Sequence, residues 1–426
     1  MKFDYGKNGL EISINPNWNV SILRPVPQKR IENPILAIKH AIQNPLEGKS
    51  LKSIIKEKKP IEKVCIVIDD ATRPVPSHFI LKALIEDLNN YGILDSQIFI
   101  LIATGLHRKS NENEIERMVG KELSRRITIV NHQSTDSKSV IFLGKTKHEI
   151  PIYINKYYYE SDLRILTGYV EPHFFFGFSG GVKSLVPGIA GSETIQLNHS
   201  AENIASPHSR FGRYENNPMR EMATEIAHSV GVDFTVNVCI NEKHEITQIA
   251  AGELLKVHDY LVNYQLRYIF QEISKSYDIV VCGNGGYPLD INLYQAVKSM
   301  AIGEMAVSDG GTIISVNECS DGVGIGQEKF KNLLFSGLSP VELHEKILNH
   351  DIIAPDQWEI QILARVMMKA EIFIVSSLSM NELGNIGLKY AKTAEDAIRI
   401  ALKKHGEKAR ILILPNGPQI LPLCKK

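Results

Sequence analysis

Between Glu171 and His199 the chain reads EPHFFFGFSGGVKSLVPGIAGSETIQLNH, and these residue types suit three kinds of chemistry. Gly177-Phe178-Ser179-Gly180-Gly181 has the spacing of a serine-hydrolase nucleophile elbow. Gly177 through Ser184 departs by one residue from a nucleotide-binding P-loop. His173, Lys183 and His199 form a set able to hold a metal ion or an electrophilic cofactor. The elbow needs a strand running directly into the serine and a helix directly out of it. Here Pro172 and three phenylalanines precede the serine, while Pro187, Gly188 and Gly191 break any helix after it. The P-loop needs glycine before its lysine, where this chain has Val182, and a helix opening at the lysine to hold phosphates, which KSLVPGIAG cannot supply. The third reading keeps the most residues. Gly180 and Gly181 also let backbone N–H groups approach an anion, so a phosphate-binding role for their loop, with Ser179, is expected.

Such groups need a scaffold. VCIVIDD (64–70) reads as a buried strand, followed by a helix with Ser77 as its N-cap running through FILKALIEDLNN. IFILIATG (98–105) is the next strand, with a helix after it starting near Ser110; RITIV (126–130), LRILTG (163–168) and FTVNVCI (234–240) continue the pattern. Asp69, Asp70, Arg73, His107 and Arg108 collect where these strands end, the side on which parallel α/β sheets bind ligands. A helical segment over 252–276 leads into a second alternation of strands and helices. The expected fold class is α/β with two domains built on mostly parallel, Rossmann-like sheets. Residues 1–265 form the cofactor-binding and catalytic domain. Residues 266–426 contribute substrate contacts, with the last strand able to return to the first domain.

Composition narrows the function classes. At 426 residues the chain exceeds one ordinary core, and 48 basic residues balance 48 acidic ones, so no charged face for nucleic acid is indicated. No apolar run reaches membrane-spanning length and no early signal segment is present, so a soluble, cytoplasmic protein is expected. Cys65, Cys239, Cys282, Cys319 and Cys424 lack CxxC or CxH spacing, which points to neither a disulfide framework nor a cysteine zinc site.

DDATRPVPS (69–77), TGLHR (104–108), EPHFFFGFSGGVKSLVPGIAG (171–191), Asn198-His199, GNGGYPLDINLYQAVKSM (283–300) and Trp358 together resemble the nickel-dependent lactate racemase family, over nearly the whole chain. The resemblance implies an active site in the cleft between two α/β domains and a nickel-pincer nucleotide, a pyridinium mononucleotide whose sulfur arms hold nickel. Lys183 would carry it through a thioamide, with Asp70, Ser179, Gly180 and Gly181 as further cofactor contacts. His199 would be the protein's nickel ligand, and His107 and His173 the acid/base pair. Arg73, Gln295, Lys298, Tyr294 and Trp358 would contact the substrate. Val182 departs from the family pattern, which more often has arginine before the lysine.

The implied chemistry accounts for these residue types. Removing a proton next to a carboxylate would create a dianion, so racemising a 2-hydroxy acid is easier by withdrawing hydride while a base takes the hydroxyl proton. Return through the opposite face needs a second base, and two histidines with ordinary pKa values of about 6.5 suit both tasks. Arg73 offers a bidentate fork and Lys298 a point charge to a carboxylate. Tyr294, Gln295 and Lys298 fall on one helix face. Asp70 would orient Arg73 by an ion pair or cap a helix. One imidazole with soft sulfur donors suits square-planar nickel, so no protein cysteine is required.

The expected partners are a small 2-hydroxy acid and the proteins that build and load the cofactor. Lactate leads, with malate, aryl or aliphatic hydroxy acids and sugar acids open. Of two rivals, a nicotinamide-dependent dehydrogenase lacks a GxGxxG after a strand with an acid about twenty residues on. A non-catalytic nucleotide carrier would have no use for the histidines, arginine and lysine.

Overall fold

The structure, a computed structural model, describes residues 1–424, which divide into two compact units, residues 27–266 and residues 1–26 with 267–424. In the first, six strands form one sheet in the order Ile246–Gly252, Phe234–Ile240, Leu163–Tyr169, Val64–Asp69, Ile98–Ala103 and Thr128–Asn131. All neighbours are parallel except the antiparallel edge pair of Phe234–Ile240 with Ile246–Gly252. Central strands covered on both faces must be apolar throughout, and VCIVI and IFILI are. Ile66, Ile68, Ile100 and Ile102 join Ile80, Leu84 and Leu88 of the helix Ser77–Asn90 in a single core.

The second unit carries a fully parallel six-stranded sheet, in the order Lys389–Tyr390, Glu371–Val375, Val307–Val316, Tyr277–Cys282, Arg410–Leu414 and Asn19–Ile22. Both units are therefore doubly wound α/β structures. Among the described residues no helix is long and apolar enough to cross a membrane.

Several local expectations are corrected. The N-terminal residues group with the second unit, not with residues 27–265, because Asn19–Ile22 pairs in parallel with Arg410–Leu414, and Phe3 and Ile12 fill that unit's core. The last strand, Leu421–Cys424, pairs with Phe270–Ile273 inside the same unit. The helix expected over 252–276 spans Leu254–Ile269 and gives way to that strand at Phe270. Finally, Ser77 is the first residue of its helix, not its cap; Pro76 takes the cap position with no side-chain hydrogen bond.

Candidate active site

The three adjacent parallel strands Leu163–Tyr169, Val64–Asp69 and Ile98–Ala103 end on the same side of the sheet, and the loops leaving them carry most of the residues singled out by sequence. Asp70 follows the middle strand, and its buried carboxylate meets His107 of the next loop, with 2.7 Å between Oδ2 and the ring Nδ1. Thr72 donates its hydroxyl to Asp70 Oδ1 at 2.7 Å and its N–H at 3.2 Å. Burial raises the Asp70 pKa, but His107, Arg73 and the Thr72 hydroxyl overcome it and hold the carboxyl well below the usual carboxylate range. Asp70 thus stays ionised and accepts the Nδ1 proton of His107, which leaves Nε2 as the nitrogen that can exchange a proton. The expected Asp70–Arg73 ion pair gives way to this arrangement: Arg73 instead donates Nη1 to the Thr72 hydroxyl at 3.4 Å.

Lys183 lies in the turn Gly181–Ser184. Burial and the Arg73 guanidinium lower its amine from 10.5 to about 8, against the opposing pull of Asp69, Asp70 and Glu171. Asp69 responds in the opposite sense. Burial raises it from 3.8 to about 7, although Arg73 and Lys183 pull it down, and its Oδ2 is buried without a hydrogen-bond partner. Gly168 on the neighbouring strand makes room for that oxygen, since a Cβ there would sit 2.9 Å from it. Tyr169 donates its hydroxyl to Glu171 Oε1, which completes a compact group of two cations and three carboxylates.

The glycine loop is built for packing. Gly180 and Gly181 both have positive φ, 74° and 55°, and a Cβ on either would collide, with the Tyr169 carbonyl oxygen at 2.8 Å and the His258 ring at 2.7 Å. The Gly181 N–H is already donated to Asn237 Oδ1 at 2.9 Å, so that amide is not available to an anion. The Ser179 hydroxyl donates toward the Tyr169 and Glu171 carbonyls, at 3.0 and 3.3 Å, and accepts from the Glu171 N–H at 3.0 Å. Ser179, Gly180 and Gly181 therefore hold the lysine turn in shape, and neither the Ser179 hydroxyl nor the Gly181 amide is left for a phosphate.

His199 caps the helix Ser192–Asn198 and is buried. Its Nδ1 donates to the Ile195 carbonyl at 3.0 Å, which puts the ring's lone pair on Nε2, the atom a metal would take. Burial, then the Lys183 charge, lowers its pKa to about 3, so the ring is neutral at any physiological pH. Phe175 links this ring to His173, with centroids 5.1 Å from His199 and 4.5 Å from His173. His173 Nδ1 accepts the Phe176 N–H at 3.3 Å, so the neutral ring carries its proton on Nε2. Among the described residues there is no group of three or more His, Cys, Asp or Glu that could hold a metal ion.

The remaining predicted residues lie in the other unit. The helix Leu293–Glu304 starts where Asn292 Oδ1 accepts the Gln295 N–H at 2.9 Å, and it buries Tyr294, Gln295 and Lys298. Lys298 donates to the Gln295 side-chain carbonyl. The Trp358 indole N–H donates to Tyr294 Oη at 3.0 Å, and that hydroxyl donates to Asp356 at 3.2 Å. An ammonium, an amide and an aromatic wall held this way are able to receive a small carboxylate. Sequence reading missed Asn237, Glu171, Thr72, Asp356 and His258. Thr72 and Glu171 lie within the motif stretches without being singled out, and Asn237 had a signal of its own, a polar residue in the middle of the apolar strand FTVNVCI.

Comparison with known proteins points the same way. Residues 5–212 match the lactate racemase N-terminal domain and residues 273–421 the lactate racemase C-terminal domain. The lactate racemase of Thermoanaerobacterium thermosaccharolyticum is 36% identical over 387 residues, covering 90% of this chain and 89% of that protein. That of Lactiplantibacillus plantarum is 35% identical over 383 residues, covering 89% of each. The solved lactate racemase apoprotein from T. thermosaccharolyticum superposes with a TM-score of 0.88 at 32% identity over 99% of both chains. A Thermotoga maritima protein shares the fold alone, with a TM-score of 0.72 at 19% identity over 93% of this chain and all of its own.

Proposed function

The chain belongs to the lactate racemase family and is an isomerase, and from that premise we propose that it interconverts the two enantiomers of a 2-hydroxy acid, lactate first among them, by reversible hydride transfer. The observation that carries this is the company kept by Lys183. A lysine whose amine is lowered to about 8 shares its surroundings with Arg73 and the Asp70–His107 pair, and its charge is felt at a neutral, buried His199.

The residues fit a lysine-tethered nickel-pincer nucleotide. Lys183 supplies an amine deprotonated often enough to be acylated, and His199 a fixed Nε2 lone pair for nickel. When bound, the cofactor supplies a ring able to accept and return hydride. Proteins that build and load it are expected partners.

The side chains do the rest. His107 takes the hydroxyl proton on Nε2 while Asp70 stabilises the resulting imidazolium, so the carboxylate both selects the tautomer and offsets the charge. His173 accepts the Phe176 N–H on Nδ1; to return a proton from Nε2 as imidazolium, or to take one there as base, the ring must release that contact and protonate Nδ1. Within its own unit Arg73 is the group suited to the substrate carboxylate; the other unit by itself offers Gln295 and Lys298 as polar contacts, with Trp358 locked through Tyr294. A panel of enantiopure 2-hydroxy acids given to cofactor-loaded protein tests the assignment. Racemisation of lactate ahead of malate, mandelate and aldonates is expected, and racemisation of another member in its place moves the substrate.

A further inference from the structure

His258 lies on the helix Leu254–Ile269, outside every motif that points to the site, and is buried. Its Nε2–H donates to the Ser179 carbonyl at 2.8 Å, immediately before the glycine pair. The same ring forms the floor under Gly181, where a Cβ would stand 2.7 Å from the ring Cγ. On its other side Nδ1 lies 3.2 Å from Tyr214 Oη. Tyr214 is itself fixed: it donates to Asp259, accepts from Arg220, and has the Arg220 guanidinium 3.5 Å over its ring. Its single hydroxyl hydrogen is shared between Asp259 and the bare Nδ1. Burial lowers the His258 pKa to about 4, so the ring has one proton to give, and Ser179 receives it. The entry to the lysine turn is held at two points on either side of Gly180, by His258 at the Ser179 carbonyl and by Asn237 at the Gly181 N–H.

We propose that His258 is a positioning residue for Lys183, acting through the Ser179 carbonyl and the Gly181 backbone to hold the turn in the shape that presents the amine for tethering. This rests on Lys183 being the tether. A generic core histidine would be replaceable by any side chain of its volume, whereas here the donated proton matters, because a buried carbonyl that loses its donor keeps its desolvation cost with nothing to offset it. Losing it favours opening of this turn specifically and leaves the sheet beneath intact.

The test compares His258→Met, which keeps bulk and loses the donor, with His258→Gln, which places an N–H near the same point. Deuterium uptake by the full-length apoprotein is read for the peptide spanning 180–186, with the strands Val64–Asp69 and Ile98–Ala103 as internal controls. Occupancy of the Lys183 adduct is read by intact mass after co-expression with the loading proteins. His258→Met is expected to speed exchange in 180–186 at least tenfold with the strands unchanged, and to lower adduct occupancy at least fivefold. His258→Gln is expected to restore both. Unchanged exchange in the Met variant, a Gln variant as impaired as Met, or a loosened turn that still loads fully overturns the proposal. If wild-type protein carries no adduct at all, the tethering reading falls, and the exchange comparison alone decides whether His258 holds the turn. Should the Met variant not fold, the tautomer of His258 in wild-type protein, read by nitrogen NMR, decides: a proton on Nε2 supports the role, and a proton on Nδ1 overturns it.

Discussion

Lys183 should behave as an unusually reactive amine before any cofactor is present. Its pKa is lowered to about 8, chiefly by burial and then by Arg73. At pH 7 roughly one molecule in ten then carries a neutral amine, against about one in three thousand for an ordinary lysine, a gain of about 300-fold. Competitive labelling of apoprotein with trace acetic anhydride, followed by peptide mapping, reads this directly. Lys183 acetylation should rise through a midpoint near pH 8 while exposed lysines rise above pH 10. The neighbours fix the signs of two variants. Arg73→Met removes a charge that lowers the pKa, so the midpoint should move up; Asp69→Asn removes one that raises it, so the midpoint should move down. A wild-type midpoint at 10 or above, or shifts of the opposite sign, would refute the electrostatic reasoning.

Other predictions concern turnover. Asp70→Asn should lower kcat by about 10²–10⁴, the usual worth of a positioned general base, because an amide N–H facing Nδ1 drives the His107 proton onto Nε2; adduct mass should be unchanged, and kcat within threefold of wild type would remove His107 as a base. Lys183→Arg should carry no adduct and show no activity, since a thioamide needs a primary amine; an active, adduct-free variant defeats the tether. His107→Ala and His173→Ala should each abolish racemisation in both directions, the two directions being linked through an equilibrium constant of one. In single turnovers followed by cofactor absorbance, each should still oxidise one enantiomer; identical losses for both enantiomers in both variants would leave these rings structural.

Much of the fold was legible because buried parallel strands such as VCIVID and IFILIA cannot be written any other way, and because polar residues gathered after them. The short pairing of Asn19–Ile22 with Arg410–Leu414 was not, since contact between residues nearly four hundred apart leaves no local trace. The site divides similarly. Lys183, His199, His107 and His173 stood out by type and spacing. The Asp70–His107 pair was not legible, because Arg73 is Asp70's neighbour in sequence while His107 meets it only in space. The glycine pair was legible as glycine but not for its reason, which depends on Asn237 and on His258 from a distant helix.

One measurement bears most directly on the central claim. Protein co-expressed with the loading system is incubated with pure L-lactate, the product is resolved by chiral chromatography, and the same sample is mapped for mass at the Lys183 peptide. D-lactate accumulating to an equal mixture, with a nucleotide-sized adduct on Lys183 and nickel released on denaturation, is the predicted result. Racemisation by protein that carries neither adduct nor nickel, or fully adducted and nickel-loaded protein that leaves L-lactate unchanged, would contradict it.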